Sequence, residues 1–169
     1  MAKLTEVKVG DVMATEIIVI NEADKLEKVS TVFDERDINA APVVDSEGRC
    51  VGIITSHDLV EYESRKKTME EVRSSDSNQD LGDCWEQSMF RLPGFLFDEV
   101  GFHMSKLHEQ IGIDDCLDQV ARNMCRKHIH HVVVLDVHQK PVGLMSSLDL
   151  LGVLIDEPVC RSPSSLRSN

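Results

Sequence analysis

The sequence predicts an α/β (α+β) protein that contains two copies of one β-α-β-β-α unit. The main observation is a self-match at a fixed offset: VGIITSHDL at Val51–Leu59 returns as VGLMSSLDL at Val142–Leu150, 91 positions later. Such a match means that one structural unit is used twice. Each copy has roughly fifty residues, which bury too little surface for stability alone, so we expect the copies to pack together. The same offset pairs Val9 with Val100, Gly10 with Gly101 and Met13 with Met104.

The first copy opens with a strand and a helix. Ile17–Ile20 is a run of β-branched residues, which is typical of a buried strand. Apolar residues then recur every three to four positions, as on one face of a helix. We expect this helix to start near Asp24 and to stop before Asn39.

A hairpin and a second helix complete the first copy. Ala41–Asp45 and Val51–Ile54 are the predicted strands, joined by a turn at residues 46–48 in which Gly48 supplies a positive φ. Ser56 is the expected N-cap of the next helix, with Asp58 in the first turn.

The second copy repeats this order. Ile111–Ile113 is a weaker first strand, and Asp115 opens a helix. Val132–Leu135 and Val142–Met145 form the hairpin, and Ser147 caps a final helix. The inner face of the first of these helices is Leu117, Val120, Ala121 and Met124; the final helix carries Leu150, Leu151, Val153, Leu154 and Ile155.

These elements set the domain boundaries. The first repeat covers residues 7–60, the second covers residues 98–156, and residues 157–169 form a flexible tail. The linker, residues 61–97, begins with a charged stretch that should extend the preceding helix into solvent, followed by a loop-like stretch. It ends in an aromatic segment, which either tucks into the molecule's own groove or forms a contact surface for another chain. Its aromatic residues are Trp85, Phe90, Phe95 and Phe97.

Composition excludes several classes of function. The net charge of −12 argues against a nucleic-acid polymer as partner, because such binding needs a basic stripe. The N-terminal stretch has no apolar run long enough for a signal peptide or a membrane span, so we expect no membrane insertion. Five cysteines, an odd number without a CxxC pair, suit a reducing cytoplasm. Two of them, Cys116 and Cys125, are expected to be buried small apolar residues rather than a redox pair.

The repeated motif resembles a known family. Gly52–Asp58 and Gly143–Asp149 share the pattern glycine, two apolar residues, Thr or Ser, two residues, Asp. With the double copy and the opening VGDVMATEIIVI, this is similar to a pair of cystathionine β-synthase (CBS) domains, also called a Bateman module. The resemblance covers about residues 7–60 and 98–155.

The resemblance implies an architecture and a role. In this family the two copies pack about a pseudo-twofold axis and leave two clefts between them. Many members bind adenosyl compounds there and regulate an enzyme or a transporter, and many are homodimers. The candidate ligands are AMP, ADP, ATP, NAD and S-adenosylmethionine.

Glycine and hydroxyl residues of the motif are candidate ligand contacts. Gly52 and Gly143 have no side chain, so a ligand or a neighbouring backbone can approach closely. Thr55 and Ser146 follow at the strand ends, where their hydroxyls can meet a phosphate or ribose oxygen.

The motif carboxylates, Asp58 and Asp149, complete the candidate site. In the family the matching Asp accepts both hydroxyls of a ribose, and the free amides of the helix N-terminus favour phosphate. The competing interpretation is that Thr, Ser and Asp after a strand are ordinary helix caps.

His130 is a further candidate ligand-binding residue. The phrase IHHVVVLD, residues 129–136, is similar to one in the gamma subunits of the AMP-activated kinase, where the matching His meets ligand phosphate. The first copy has Asn39 at this position, so His130 would mark the favoured cleft. The alternative is a partly exposed histidine at a strand end. His131 should point to the opposite face of the strand, so no shared metal site is expected.

The residues show no catalytic constellation, and three hypotheses remain. The first is a regulatory module that binds an adenosyl nucleotide and modulates a partner protein. The second is an interaction scaffold of the same fold with empty clefts. The third is a cryptic enzyme or thiol sensor.

Overall fold

The computed structural model of the chain describes residues 2–75, 98–107 and 109–155. The predicted aromatic segment and the tail lie outside the described residues. The predicted α/β fold class is confirmed. In chain order the elements are α1 (Ala2–Glu6), β1 (Ile20–Asn21), α2 (Leu26–Arg36), β2 (Ala40–Val44), β3 (Cys50–Thr55), α3 (Ser56–Ser75), β4 (Ser105–Lys106), α4 (Leu117–Lys127), β5 (His131–Leu135), β6 (Pro141–Ser146) and α5 (Ser147–Ile155).

Each repeat is built around an antiparallel hairpin that carries one parallel neighbour. The first sheet has the order β1-β2-β3-β4, with β1 parallel to β2 through the pair Ile20 and Val43. The second sheet pairs β5 with β6, and Ile111 bridges in parallel to Val134. Both members of the second bridge lie 91 positions after those of the first, so the two repeats share one topology.

The segments that lead into the two repeats cross over. We call residues 4–14 lead-in 1 and residues 98–106 lead-in 2. Lead-in 1 joins the second repeat, because Val9 N–H donates to the Asp115 carbonyl at 2.9 Å. Lead-in 2 joins the first repeat, because Val100 N–H donates to the Asp24 carbonyl at 2.8 Å. The exchange is reciprocal, and it produces the pseudo-twofold arrangement that the resemblance implies.

Each hydrophobic core therefore combines residues of one repeat with residues of the lead-in that precedes the other repeat. Val9 of lead-in 1 and Val100 of lead-in 2 are both fully buried. One core joins Val9, Val12 and Met13 to residues of the second repeat, among them Leu117, Val120, Val134 and Met145. The other joins Val100 to Ile20, Leu26, Val29, Phe33, Ala41, Val43 and Ile54.

A third, smaller cluster connects the two sheets. Cys50 of β3 packs with Val133 and Leu135 of β5, and Cys50 N–H donates to the Gln139 carbonyl at 2.8 Å. Burial raises the pKa of the Cys50 thiol to about 11, so this side chain behaves as a small apolar residue. The two repeats thus share a buried contact as well as the exchanged lead-ins.

The predicted first strands are too long. Of the first run only Ile20 lies in a strand, which also includes Asn21, and these two residues pair with Val43 and Val44 of β2. In the second copy the predicted strand at Ile111–Ile113 is reduced to the single bridge at Ile111.

The helices after these strands begin two residues later than predicted. The carboxylate of Asp24 accepts the Asn21 N–H at 3.1 Å, and that of Asp115 accepts the Gly112 N–H at 2.8 Å. Each Asp therefore closes a turn before its helix, which is a common role for this residue. The helices α2 and α4 follow from Leu26 and Leu117.

Three further local predictions concern the first hairpin turn, the length of α3 and the burial of two cysteines. Gly48 has φ +78° in the first hairpin turn, as predicted, and the charged linker stretch continues α3 as far as Ser75. The burial predicted for Cys116 and Cys125 is wrong, since both thiols are exposed. Cys116 precedes α4, and Cys125 falls outside the inner face that buries Met124.

Candidate functional site

A cleft of about 820 Å³ lies between the two repeats. This volume is within the usual range of pockets that hold small ligands. The first repeat contributes the ends of β3 and the start of α3, and the second contributes the end of α4, the start of β5 and the start of α5. The polar residues of the cleft are Asp37, Asn39, Thr55, Ser56, His57, Ser105, Lys106, Glu109, Asn123, Lys127, His130, His131, Ser146 and Ser147.

The motif carboxylates act first as helix caps. Asp58 Oδ2 accepts the Thr55 N–H at 2.8 Å and the Thr55 hydroxyl at 2.6 Å. Asp149 Oδ2 accepts the Ser146 N–H at 2.6 Å and the Ser146 hydroxyl at 2.8 Å. Each Asp therefore reaches back to the residue before its helix, as in a capping box, and in the second repeat the Asp149 N–H also donates to Ser146 Oγ at 3.4 Å.

This geometry corrects the predicted caps and shows what remains for a ligand. Ser56 and Ser147 are the first helical residues, so the capping position is one residue earlier than predicted. Both Asp side chains use Oδ2 for the cap, and Oδ1 has no hydrogen-bond partner in the described part of the chain. Neither Asp lies in the wall of the cleft, whereas Thr55 and Ser146 do.

The motif glycines make room for the crossing lead-ins. A Cβ on Gly52 would lie 2.6 Å from Met104 Sδ and 2.7 Å from the Ser105 carbonyl oxygen. A Cβ on Gly143 would overlap Met13 and lie 3.1 Å from the Ala14 carbonyl oxygen. Of the two roles that the sequence left open, the structure shows the approach of a neighbouring backbone. Neither glycine lies in the wall of the cleft.

Two adjacent histidines line the cleft together. His130 occupies a bend and is exposed, and β5 begins at His131, which is half-buried. Both residues line the cleft, and their expected placement on opposite faces stays a prediction. Burial, and next the charge of His130, lower the pKa of His131, against the opposing effect of Asp149. Within residues 2–75, 98–107 and 109–155, no three His, Cys, Asp or Glu side chains are placed to hold a metal ion.

Two lysines line the cleft that the sequence analysis does not identify as candidate ligand contacts. Lys127 Nζ lies 2.8 Å from Glu109 Oε1, and the other oxygen of Glu109 accepts a hydrogen bond from Asn123. Lys106 is exposed on β4, which pairs with β3 at Gly52. It belongs to no motif, and only the crossing of lead-in 2 brings it beside the first repeat. No local pattern in the sequence could have signalled this contact.

The charged residues that line the cleft can be compared with the residues at the equivalent positions of the other repeat. The positions 91 residues before Lys106, His130 and His131 carry Thr15, Asn39 and Ala40, none of which can be cationic. Lys127 has Arg36 as its counterpart, and His57, the cleft histidine of the first repeat, has Leu148. The cleft between residues 105–111 and the first hairpin therefore has more side chains that can be cationic than the equivalent positions, but it also contains the carboxylates of Asp37 and Glu109, whose counterparts are His128 and Ile18.

Comparisons with known proteins agree with this architecture. The family model of the CBS domain matches residues 9–65. The human 5′-AMP-activated protein kinase subunit gamma-3 is 24% identical over 143 residues, which are 85% of this chain and 25% of that subunit. An uncharacterised protein of Methanocaldococcus jannaschii is 38% identical over 60 residues, 36% of this chain and 21% of that protein. The chain thus spans a quarter or less of the length of these two relatives.

Solved structures give the same fold. The CBS domain pair of protein MJ0100, in complex with 5′-methylthioadenosine and S-adenosyl-L-methionine, has a TM-score of 0.66 at 20% identity and covers 88% of this chain and 99% of its own. CBSX2 in complex with AMP has a TM-score of 0.66 at 15% identity and covers 88% of this chain and 96% of its own. This chain has the fold of a tandem CBS domain pair, and the resemblance carried by its repeated motif is confirmed. No helix within the described ranges combines the length and the apolar character that crossing a bilayer requires.

Proposed function

We propose that the chain is a regulatory module that binds an adenosyl nucleotide in the cleft between its repeats and modulates a partner protein. The observation that carries this proposal is the shared cleft, whose wall includes Thr55 of the first repeat and Ser146 and His130 of the second. The structures of two CBS domain pairs with adenosyl ligands support it. The repeats would be residues 7–60 and 98–156, and the module would act by binding rather than by catalysis.

The cationic side chains of the cleft favour ligands that carry phosphate. Lys106 has no ion pair in the described part of the chain, and it lines the same cleft as His130, which is exposed. A phosphate between them would gain charge-assisted hydrogen bonds. AMP, ADP, ATP and NAD would therefore bind more tightly than S-adenosylmethionine, whose sulfonium is positively charged.

The ribose of the ligand would lie nearer than its phosphate to the first residues of α3 and α5. There it would meet the hydroxyls of Thr55 and Ser146, which lie in the wall of the cleft, whereas Asp58 and Asp149 hold these hydroxyls through Oδ2 and lie outside that wall. The capped helix N-termini add free amide donors that favour an anion. In this arrangement Gly52 and Gly143 contribute indirectly, by letting the lead-ins pass close to the hairpins that form the wall.

Signalling would follow from the two-repeat construction of the cleft. A ligand that contacts both repeats binds one relative orientation of them better than others, and so shifts the population toward it. A partner enzyme or transporter that senses this orientation is then regulated. The extent of regulation is bounded by the difference in the ligand's affinity for the two arrangements.

One observation favours a second candidate, an interaction scaffold with empty clefts. The carboxylates of Asp58 and Asp149 already have a structural task, since each accepts two hydrogen bonds from its cap residue. A protein that never binds a nucleotide would keep the same residues for the stability of α3 and α5.

A thermal-shift panel separates the two candidates. The full chain is heated with AMP, ADP, ATP, NAD or S-adenosylmethionine, and a ligand at 100 times its Kd should stabilise the fold by about 2.7 kcal/mol. His130→Asn, which restores the residue of the first repeat, should reduce the shift given by phosphate ligands. His138→Asn in the exposed β5–β6 turn is the matched control and should leave it unchanged. If none of the five ligands stabilises the wild-type chain, the scaffold is the better candidate.

A further inference from the structure

One wall of the cleft carries three polar side chains in contact with one another, which we call the Glu109 network. The carboxylate of Glu109 accepts a hydrogen bond from Asn123 Nδ2 and lies 2.8 Å from Lys127 Nζ. All three residues line the cleft between the repeats. Asn123 and Lys127 belong to α4, so this helix holds the Glu109 carboxylate in the wall.

The first repeat shows that the fold does not require this network. The residues 91 positions before Glu109 and Asn123 are Ile18 and Val32. Both are partly buried and pack on the core of the first repeat. The second repeat thus has a carboxylate and an amide where the first repeat has two apolar residues that contribute to packing. Because sequences depart from ordinary packing patterns mainly at functional sites, we look for the role of this exchange in the cleft.

The carboxylate of Glu109 also sets the charge balance of the cleft wall. Among the described residues that line the cleft, the lysines are Lys106 and Lys127 and the carboxylates are Asp37 and Glu109. At neutral pH the formal charges of these four side chains cancel. A phosphate can pair with Lys106, but it must compete with Glu109 for Lys127.

We propose that Glu109 limits how many phosphates the ligand of the cleft carries, so that a nucleoside monophosphate binds more tightly than the corresponding diphosphate or triphosphate. This inference rests on the proposed function, since it names the class of nucleotide that the same cleft prefers. The first phosphate gains the attraction of Lys106. Each further phosphate adds negative charge to a wall whose lysines are already balanced by carboxylates. Glu109 repels this added charge from a fixed position, because Asn123 and Lys127 both hold it.

Isothermal titration calorimetry of the full chain with AMP, ADP and ATP tests this proposal. The titrations are done without divalent cations, which would neutralise the additional phosphates. In the wild-type chain Kd should rise from AMP to ADP to ATP. Glu109→Gln removes the negative charge but keeps an oxygen that can accept from Asn123. It should lower the ratio of the Kd of ATP to the Kd of AMP about fivefold.

Glu61→Gln is the matched control for the loss of charge. Glu61 is exposed on α3, forms an ion pair with Arg65 and does not line the cleft. Its substitution removes the same charge from the chain and should leave the ratio of the two Kd values unchanged. Because this ratio compares two ligands on one variant, a small loss of folded protein cancels from it.

The possible results distinguish this inference from the proposed function. If the wild-type chain binds AMP but binds ATP as tightly or more tightly, Glu109 does not select the nucleotide, although the proposed function stands. The same holds if Glu109→Gln and Glu61→Gln give equal ratios. If the wild-type chain binds none of the three nucleotides, both the proposed function and this inference are overturned.

Discussion

Val9 and Val100 occupy equivalent positions in the two lead-ins, and each is fully buried in the core of the opposite repeat. Neither repeat can complete its core with its own lead-in. The two repeats must therefore fold as one cooperative unit, even though the sequence shows them as separate copies.

Truncation of either valine should destabilise the whole molecule. Val9→Ala and Val100→Ala should each lower the free energy of unfolding by about 2 kcal/mol, because each removes buried methyl groups and leaves a cavity. Urea denaturation followed by circular dichroism measures this change. Val137→Ala, at a side chain that is 91% exposed, is the control and should change little.

The shape of the transition is the second part of this test. Both variants should unfold in a single transition with an unchanged slope against urea. Two separate transitions, of which only one moves in each variant, would show that the repeats are independent domains.

The motif glycines should not tolerate alanine. In Gly52→Ala the new methyl group would overlap Met104 and Ser105, and we expect a loss of about 1–3 kcal/mol in the free energy of unfolding. Gly112→Ala is the matched control, since its methyl group would meet only Asp115 Oδ2 at 3.8 Å. Equal stabilities of the two variants would show that the close approach of lead-in 2 can relax without cost.

Tyr62, the single tyrosine of the chain, should titrate late. Its hydroxyl donates to Asp98 of lead-in 2, and its ring meets His103 edge-on with 4.9 Å between centroids. Burial, followed by the hydrogen bond to Asp98, raises the pKa of Tyr62 to about 12. Ultraviolet titration of the phenolate should show this midpoint, and Asp98→Asn should lower it.

The same shift makes stability depend on alkaline pH. Because the folded protein holds the phenol proton more tightly than the unfolded chain does, stability is lost as pH rises from the ordinary tyrosine pKa through about 12. A midpoint near 10 in the folded wild-type chain would contradict the contact between Tyr62 and Asp98.

His131 should contribute to loss of stability in mild acid. Its pKa is lowered, first by burial and then by His130, so protonation favours the unfolded chain. This contribution to stability is present above the ordinary histidine pKa of about 6.5 and is lost as pH falls below it. Urea unfolding at pH values on either side should show a smaller pH effect in His131→Gln than in the wild-type chain.

Acid also protonates carboxylates, so the comparison needs its own control. His138→Gln removes an exposed imidazole from the β5–β6 turn and should retain the wild-type pH effect. If His131→Gln and His138→Gln respond to pH alike, burial of His131 has no measurable consequence for stability.

The sequence predicts the fold where the signal is local. The hairpins, the helix faces and the turn at Gly48 follow from periodicity and turn chemistry, and all are found. The first strands were overestimated, because a run of β-branched residues does not show how many of them find a partner on the neighbouring strand. The crossing of the lead-ins could not be read from the residues, since it joins positions far apart in the chain.

The candidate site likewise contains some residues that local sequence patterns predict and others that they do not. Thr55, Ser146 and His130 belong to recognisable phrases, and the structure brings them into one cleft. Lys106 lies in no motif and reaches the cleft only through long-range pairing of β4 with β3. The capping role of Asp58 was foreseen as an alternative, but its hydrogen bond to the Thr55 amide required coordinates.

The exchanged lead-ins decide where a reporter of ligand binding should be attached. The helix α1 precedes the first repeat in the chain, but it contacts α4 and α5 of the second repeat. A fluorophore attached to α1 would therefore report the position of the second repeat. A donor dye on α1 and an acceptor on α2 would therefore report the relative orientation of the two repeats. Two dyes on α1 and α4 would move as one body and report nothing.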